Sequence, residues 1–332
     1  MRDILRNKCD LFADNYMELK NSFRWNYNIN NRLAALLYTL ENQKVNIDAI
    51  KWCRNIIKEN TGLFSQFKDT ANFMTATMLS LQKNPTETFQ HTLGIYRELK
   101  DTGLHSSSFL VIAALTIALQ SRQEDYQRVI RGTKDFYSAM KKEHRLITSF
   151  DDYGYAALLA LTGQSVDQAV REMEACYWLL KPDFSYSNAV QSLSHVLVFS
   201  DENANAKCKR IVDLYQALKN RNLKFGKGLE LSFLGITALL KADTQQLANE
   251  IMEVNHCIEN KKGFGMWSIS NRERLMFSVA LVCDDYLDSM KKETMGFALA
   301  NNIVAILLAQ QTAAVVAASG AAASASAAAA SN

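Results

Sequence analysis

The chain of 332 residues carries a formal net charge of +3, with 48% hydrophobic and 21% charged residues, the composition of a soluble globular protein. The near-balanced charge, without a block of basic residues, disfavours a nucleic-acid-binding protein, and the charged first ten residues disfavour a secretory signal peptide. Six scattered cysteines, with no C-x-x-C pair, favour a reducing, cytoplasmic location over a disulfide-stabilised, secreted one.

A motif of tyrosine, two variable residues, Leu or Met, and then lysine recurs along the chain. Its four full copies begin at Tyr96, Tyr137, Tyr177 and Tyr215, with spacings of 41, 40 and 38 residues. Weaker copies begin at Cys53 and Asn255. A period near 40 residues over six units is typical of stacked helical pairs. The sequence therefore predicts an all-α superhelix, or solenoid, of about six helical hairpins.

The predicted elements alternate between short apolar inner helices and longer amphipathic outer helices. A helical lead-in at residues 1–29 precedes the repeat domain at 30–290. The inner helices are predicted at 31–42, 71–82, 107–120, 150–162, 187–199, 229–241 and 269–286. The outer helices are predicted at 47–59, 86–101, 124–143, 166–181, 204–221 and 244–260. Only two prolines occur in the chain, so these helices are free of the residue that most strongly breaks them.

The repeated tyrosine and lysine each have a structural and a functional interpretation. The tyrosine fits a packing slot between neighbouring outer helices, with its hydroxyl group at the rim; the alternative is a functional ladder. The lysine stands in the last turn of each outer helix, where a cation offsets the negative helix end; the alternative is a line of cations for an acidic partner. We favour the structural interpretation for both.

The last segment, residues 291–332, differs in kind from the repeats. After Glu293 it has no charged residue, and residues 317–332 are nearly all alanine and serine. Residues 297–318 are long enough to span a membrane, but four amide side chains within them disfavour that alternative. We expect a packed or frayed helix there, with disorder and membrane contact as the other two alternatives.

One predicted inner helix carries an unusual polar stripe. Asn188, Gln191 and His195 recur at intervals of three and four residues on one face, and they form a candidate binding surface on the inner wall. A hydrogen-bonded structural histidine is the alternative interpretation of His195. The five histidines of the chain are far apart, so no metal site is predicted.

Two acidic pairs, Asp151-Asp152 and Asp284-Asp285, are candidate site residues because paired carboxylates can transfer protons or hold a metal. The first pair also fits the first turn of a helix, which favours negative charge. The second pair falls late in its predicted helix, where the helix dipole disfavours it. Adjacent residues on a helix point about 100° apart, which is a poor geometry for a shared ligand.

Several strings of the chain resemble an uncharacterised family, number 4003 in the domain-of-unknown-function series, which is found mainly in Gram-positive bacteria. The strings are Leu33–Thr39, Asn188–Leu197, Lys224–Gly228, Lys261–Ser268 and Arg274–Met276. The resemblance covers essentially the whole chain. It implies a cytoplasmic bacterial protein and no particular chemistry, because the family has no assigned activity.

The sequence leads to three hypotheses of function. Stacked hairpins build extended surfaces that bind proteins or peptides, so the first is a non-enzymatic binding scaffold with a protein or peptide partner. The second is an enzyme or ligand-binding protein with a pocket around Asp151, Asp152, Gln191 and His195. The third and weakest is nucleic-acid binding through basic loops. The common catalytic and cofactor-binding motifs are absent from the sequence, so neither catalytic residues nor a cofactor are predicted.

Overall fold

The computed structural model describes residues 1–62, 65–224, 228, 230–240 and 242–291, with side chains as far as Tyr286. Helices dominate this part of the chain and no strand occurs in it, which confirms the all-α prediction. The α-helices, numbered α1 to α14, are Asp3–Ser22, Asn28–Leu40, Ile47–Asn60, Asp69–Ser80, Pro85–Asp101, Ser108–Gln120, Tyr126–Glu143, Tyr153–Thr162, Val166–Leu180, Ser187–Leu197, Ala204–Asn220, Glu230–Thr237, Thr244–Glu259 and Asn271–Lys291. Short 3-10 turns at Gln123–Asp125 and Phe150–Asp152 precede α7 and α8.

The fourteen helices pair into seven hairpins, each made of an odd-numbered outer helix and the even-numbered inner helix that follows it. Most neighbouring hairpins pack side by side through both classes of helix, from α3 on α5 to α11 on α13 among the outer helices, and with α2 on α4, α4 on α6, α6 on α8, α10 on α12 and α12 on α14 among the inner ones. The predicted lead-in contains α1, which packs along α2 as the outer helix of the first hairpin. The division into a lead-in, a repeat domain and a tail stays a prediction, and the tail after residue 291 lies outside the described residues.

The two helix classes follow from their residue patterns. In α6, every residue from Leu110 to Ile117 is buried, because the helix is apolar on all sides and neighbours cover it all round. In α7, burial is confined to a stripe along one face of the helix. The buried residues of α7 are Val129, Ile130, Thr133, Phe136 and Met140. Outer helices therefore contribute one face to the core, whereas inner helices are enclosed by it.

The first and last hairpins contact each other, so the hairpins form a closed ring. Helix α1 packs against α13 and α14, and α2 packs against α14. The ring of Tyr16 in α1 meets the ring of Phe264, in the loop between α13 and α14, at a centroid distance of 5.0 Å. We call the boundary between the last hairpin and the first the seam. The 40-residue repeat by itself does not specify this contact.

The ring has two different faces. At one face, which we call the loop face, each outer helix ends and its inner helix begins; its described segments are 23–27, 61–62, 65–68, 102–107, 144–150, 181–186, 221–224, 228 and 260–270. At the opposite turn face, inner helices end and the next outer helices begin; its described segments are 41–46, 81–84, 121–125, 163–165, 198–203, 238–240 and 242–243. Among the helices described, none combines the length and apolarity needed to cross a bilayer.

Candidate functional site

Large apolar side chains are exposed unevenly between the two faces of the ring. Twelve are exposed among the described residues, and seven of these belong to the loop face. The seven are Trp25, Tyr27, Leu146, Phe150, Tyr186, Met266 and Trp267. The other five lie on outer helices, and among them Trp52 of α3 borders the turn-face segment 81–84; the described turn-face segments themselves expose none. Exposed apolar side chains concentrated in one place are typical of an interaction site.

The loop that carries Met266 and Trp267 is firmly held at the seam. Its Phe264 is fully buried, with its ring 4.9 Å from Phe12 and 5.0 Å from Tyr16. The guanidinium of Arg32, a buried residue of α2, donates hydrogen bonds to the carbonyl oxygens of Gly263, at 3.1 Å, and Ser268, at 2.5 Å. The loop is therefore anchored on both sides of its exposed residues.

Gly263 is required for this anchoring. Its φ of +87° lies in the left-handed region, and a Cβ placed on it would lie only 2.4 Å from the Tyr16 ring. Any other residue there would strain the backbone and push the loop away from α1. The loop thus approaches α1 closely while Trp267, which is 97% exposed, is presented to solvent. Trp267 is therefore exposed on a loop whose backbone is held in place by the hydrogen bonds from Arg32 to the carbonyl oxygens of Gly263 and Ser268.

Two exposed aromatic side chains lie on the loop of the first hairpin, across the seam from the loop of Met266 and Trp267. Trp25, which is 90% exposed, and Tyr27 lie between α1 and α2, and the Arg24 guanidinium stacks 5.5 Å from the Trp25 ring. We call Trp25, Tyr27, Met266 and Trp267 the seam patch. The remaining exposed apolar residues of the loop face belong to the fourth and fifth hairpins, across the ring from the seam.

The predicted polar stripe and the first acidic pair meet inside the protein. His195 of α10 is 2% exposed and Asp152 is 1% exposed, with 3.5 Å between the His195 Nδ1 and the Asp152 Oδ1. Gln191, also buried, donates from Nε2 to the Thr148 hydroxyl at 2.6 Å. The Tyr155 ring meets the His195 ring at 5.2 Å. Helices α8 and α10 thus bring Asp152, Gln191 and His195 together, as the pocket hypothesis requires, but in a buried cluster.

Burial shifts the ionisation of this pair in opposite directions. Desolvation, together with the nearby His144, lowers the pKa of His195 to about 3, which keeps the imidazole neutral. Desolvation and the neighbouring Asp151 raise the pKa of Asp152 well above its ordinary value. Both effects follow from the cost of burying a charge.

The structure gives Asp152 a role at the start of α8. Its Oδ2 accepts a hydrogen bond from the backbone N–H of Ser149 at 2.9 Å, in a reciprocal capping box. Asp151 is half-buried and accepts from the Ser149 hydroxyl, whereas Asn188 at the start of α10 is exposed. His195 is buried, so it does not lie on an accessible inner wall as the sequence led us to expect.

The second acidic pair lies at the seam, in direct contact with α1. Asp284 pairs with Lys8, and both side chains are buried. Asp285 pairs with Arg2 at 2.5 Å, and Arg2 also reaches Glu250 of α13 at 3.1 Å. Cations of the first hairpin, Lys8 in α1 and Arg2 just before it, therefore neutralise the two carboxylates, and α14 continues beyond them to Lys291. Within the described part of the chain, no group of three or more His, Cys, Asp or Glu residues could hold a metal ion.

A family model described as a protein of unknown function (DUF4003) matches residues 15–318, more than nine tenths of the sequence. The chain belongs to this family. It is also similar to the uncharacterized protein YeaA of Bacillus subtilis (strain 168), with 25% identity over 224 residues, which are 64% of this chain and 67% of YeaA. No solved structure matches the chain. The resemblance inferred from the sequence strings is thus confirmed, and this DUF4003 member's function has to be argued from its geometry.

Sequence reasoning did not find the seam patch. Its residues belong to loops, where no helical or strand periodicity indicates which side chains are buried. The Lys-Lys-Gly-Phe-Gly-Met-Trp string at 261–267 was recognised only as a family string. The available signal was a Trp outside any predicted helix, since Trp is enriched among the residues that contribute most to protein interfaces.

Proposed function

We propose that this DUF4003 protein is a non-enzymatic scaffold that binds a protein or peptide partner on its loop face, with the seam patch as the anchor. The observation that carries the proposal is the uneven exposure of large apolar residues, seven on the loop face and none on the described turn face. A polar turn face and an aromatic loop face are expected if only one end of the ring has a partner.

The physical support for this proposal is that Trp267 is a large exposed side chain on a loop that is already fixed in position. Tryptophan is enriched among the residues that contribute most to protein interfaces, typically 2 kcal/mol or more each. Trp267 extends from a loop that Phe264, Gly263 and Arg32 already hold in place. Binding there would cost little ordering entropy, so more of the apolar burial contributes to affinity.

The charges around the seam patch define the chemistry of the partner. Arg24, Lys262 and Arg272 are exposed beside the four patch residues, and none of the three forms an ion pair with a described residue. An acidic segment with one or two large apolar side chains would complement both features. The six cysteines all carry free thiols, which supports the cytoplasm as the place of binding.

The test compares loop-face and outer-helix tryptophans. Partners captured by the wild-type protein from the native cytoplasm would be identified by mass spectrometry, purified, and titrated against Trp267→Ala and Trp25→Ala. Trp178→Ala is the matched control, because Trp178 is 64% exposed on outer helix α9. We expect a loss of affinity of tenfold or more for each loop-face variant and less than twofold for Trp178→Ala.

Equal binding by all four proteins would overturn the proposal. Binding of short single-stranded nucleic acid in place of protein, with the same dependence on Trp25 and Trp267, would favour the nucleic-acid alternative. The alternative of an enzyme or small-ligand pocket around Asp151, Asp152, Gln191 and His195 has the perturbed pair in its favour, but the burial of that pair counts against substrate access.

A further inference from the structure

A basic cleft opens on the loop face between α3 and the start of α4. Its volume is about 670 Å³, within the range of small-molecule sites. The lining residues are Lys51, Arg54, Asn55, Lys58, Thr61, Gly62, Ser65, Phe67, Lys68, Asp69 and Asn72. The cleft lies in the second hairpin, next to the first hairpin's part of the seam patch.

The lining is strongly cationic. It contains four cations, Lys51, Arg54, Lys58 and Lys68, but a single carboxylate, that of Asp69. Lys51 forms an exposed pair with Asp48 at 3.9 Å, whereas no carboxylate of a described residue pairs with the other three cations. Placing unneutralised like charges around one concavity is unfavourable, and an anion bound between them would relieve this repulsion.

Arg54 is held in position at the wall of the cleft. Its Nε donates to the Asn72 Oδ1 at 2.9 Å, and its guanidinium lies 5.9 Å from the Phe23 ring. These contacts occupy one edge and one face of the guanidinium. Its two terminal amino groups form no hydrogen bond with described residues, so they are available as a pair of donors. A paired set of N–H donors at fixed geometry suits phosphate oxygens.

The arrangement of the cations indicates more than one phosphate group. Lys51, Arg54 and Lys58 follow one face of α3 at intervals of three and four residues, a span of about 10 Å along the helix. Lys68, the residue before α4, lines the other side of the cleft, and its side chain does not cap the helix. A single phosphate would contact one or two of these cations, whereas a molecule with two or more phosphates reaches them all.

We infer that the cleft binds a small molecule that carries at least two phosphate groups. This inference is independent of the protein-binding proposal, because it depends on the charges of α3 and α4 and not on the seam patch. Arg54, Lys58 and Lys68 provide the donors, and Asn72 positions Arg54.

The experiment is a calorimetric titration of the full chain with inorganic pyrophosphate at low salt, with inorganic phosphate and sulfate as comparison anions. We expect saturable binding of pyrophosphate, weaker binding of both comparison anions, and weaker binding with increasing salt. Lys58→Glu and Arg54→Gln should each raise the dissociation constant of pyrophosphate tenfold or more. A thermal melt of each variant verifies folding. Of the two substitutions, Lys58→Glu should disturb the fold less, because Lys58 is exposed on α3.

Lys44→Glu is the matched control, because Lys44 is exposed at the turn face, beyond the other end of α3. This substitution changes the net charge of the protein by the same amount as Lys58→Glu. It should leave the pyrophosphate dissociation constant within twofold of wild type. An equal effect of Lys44→Glu and Lys58→Glu would show a response to overall charge and would overturn the inference. So would the absence of saturable binding at millimolar pyrophosphate, or binding of a single-stranded oligonucleotide that pyrophosphate does not displace.

Discussion

The ring of Tyr16, in the first helix, lies against the ring of Phe264, in the last hairpin, at a centroid distance of 5.0 Å. The same contact recurs between consecutive hairpins: an aromatic residue of an outer helix meets an aromatic residue of the preceding hairpin's loop. The recurring pairs are Tyr96 with Phe67 at 5.2 Å, Tyr177 with His144 at 4.3 Å, and Tyr215 with Phe184 at 4.9 Å. The first hairpin therefore follows the seventh as the third, fifth and sixth hairpins follow the ones before them.

Removal of one of the repeated tyrosines should destabilise the folded protein. Tyr177→Ala is expected to lower the free energy of unfolding by about 3 kcal/mol or more, because a large buried aromatic ring is lost from the contact with His144. Tyr96→Ala should behave similarly, while the half-buried Tyr137 and Tyr215 should cost less. Denaturant unfolding midpoints measure the effect. Tyr186→Ala, an exposed tyrosine on the loop face, is the control and should change stability by less than about 0.5 kcal/mol.

The buried pair of Lys8 and Asp284 should be sensitive to loss of one partner. Lys8→Met removes the Lys8 cation from beside the buried Asp284 carboxylate, and we expect a loss of about 3–5 kcal/mol in unfolding free energy. The exposed pair of Lys209 and Asp213 is the comparison, and Lys209→Met should cost less than about 1 kcal/mol. Chemical denaturation at neutral pH distinguishes the two. Equal costs would mean that Lys8 does not hold the seam closed.

Stability should depend on pH through His195. The pKa of His195 is lowered to about 3 in the folded protein. Between about pH 6.5 and pH 3, His195 is therefore protonated in the unfolded chain and neutral in the folded one, which favours unfolding. Wild type should therefore lose stability relative to His195→Gln as the pH falls through this window, with a slope of up to about 1.4 kcal/mol per pH unit. Above about pH 6.5 the difference should stay constant. The measurement is unfolding free energy at several pH values for both proteins.

Asp152 provides the internal control for that titration, since its shift has the opposite sign. Its pKa is raised in the fold, so its carboxyl group contributes stability at low pH that is lost as the pH rises above its ordinary value. In wild type the two effects partly cancel. Asp152→Asn should therefore steepen the loss of stability on acidification, and an unchanged slope would contradict the assigned direction.

The terminal Ala/Ser-rich segment should be dispensable for folding. A chain stopped after Ala317 is expected to melt at the same temperature as the full chain, because residues 318–332 offer little apolar side chain to bury. These residues lie outside the described part of the structure, so the prediction follows from composition alone. Vesicle flotation of both chains provides the second measurement. Flotation of the full chain, but not of the shortened one, would contradict the prediction and indicate membrane contact.

Local periodicity was sufficient to predict the hairpins themselves. The predicted outer helix at 47–59 is Ile47–Asn60, and the predicted inner helix at 107–120 is Ser108–Gln120. A local side-chain cap also sets the start of α13, where the Asp243 Oδ1 accepts a hydrogen bond from the Gln246 N–H at 2.9 Å. A further copy of the repeat motif, Tyr16-Met17-Glu18-Leu19-Lys20, lies in the predicted lead-in, and it would have indicated seven hairpins.

The amino-acid sequence by itself determined the helices and their two classes, because both depend on residues within about forty positions of one another, and it indicated the family through strings spread along the chain. The tertiary structure alone decided three features: the contact of Tyr16 with Phe264, the burial of His195 against Asp152, and the exposure of Trp267 beside the buried Phe264. Each depends on how much every hairpin turns relative to the one before it. That turn is set by side-chain packing between helices, and only the sum over seven hairpins brings residue 8 beside residue 284.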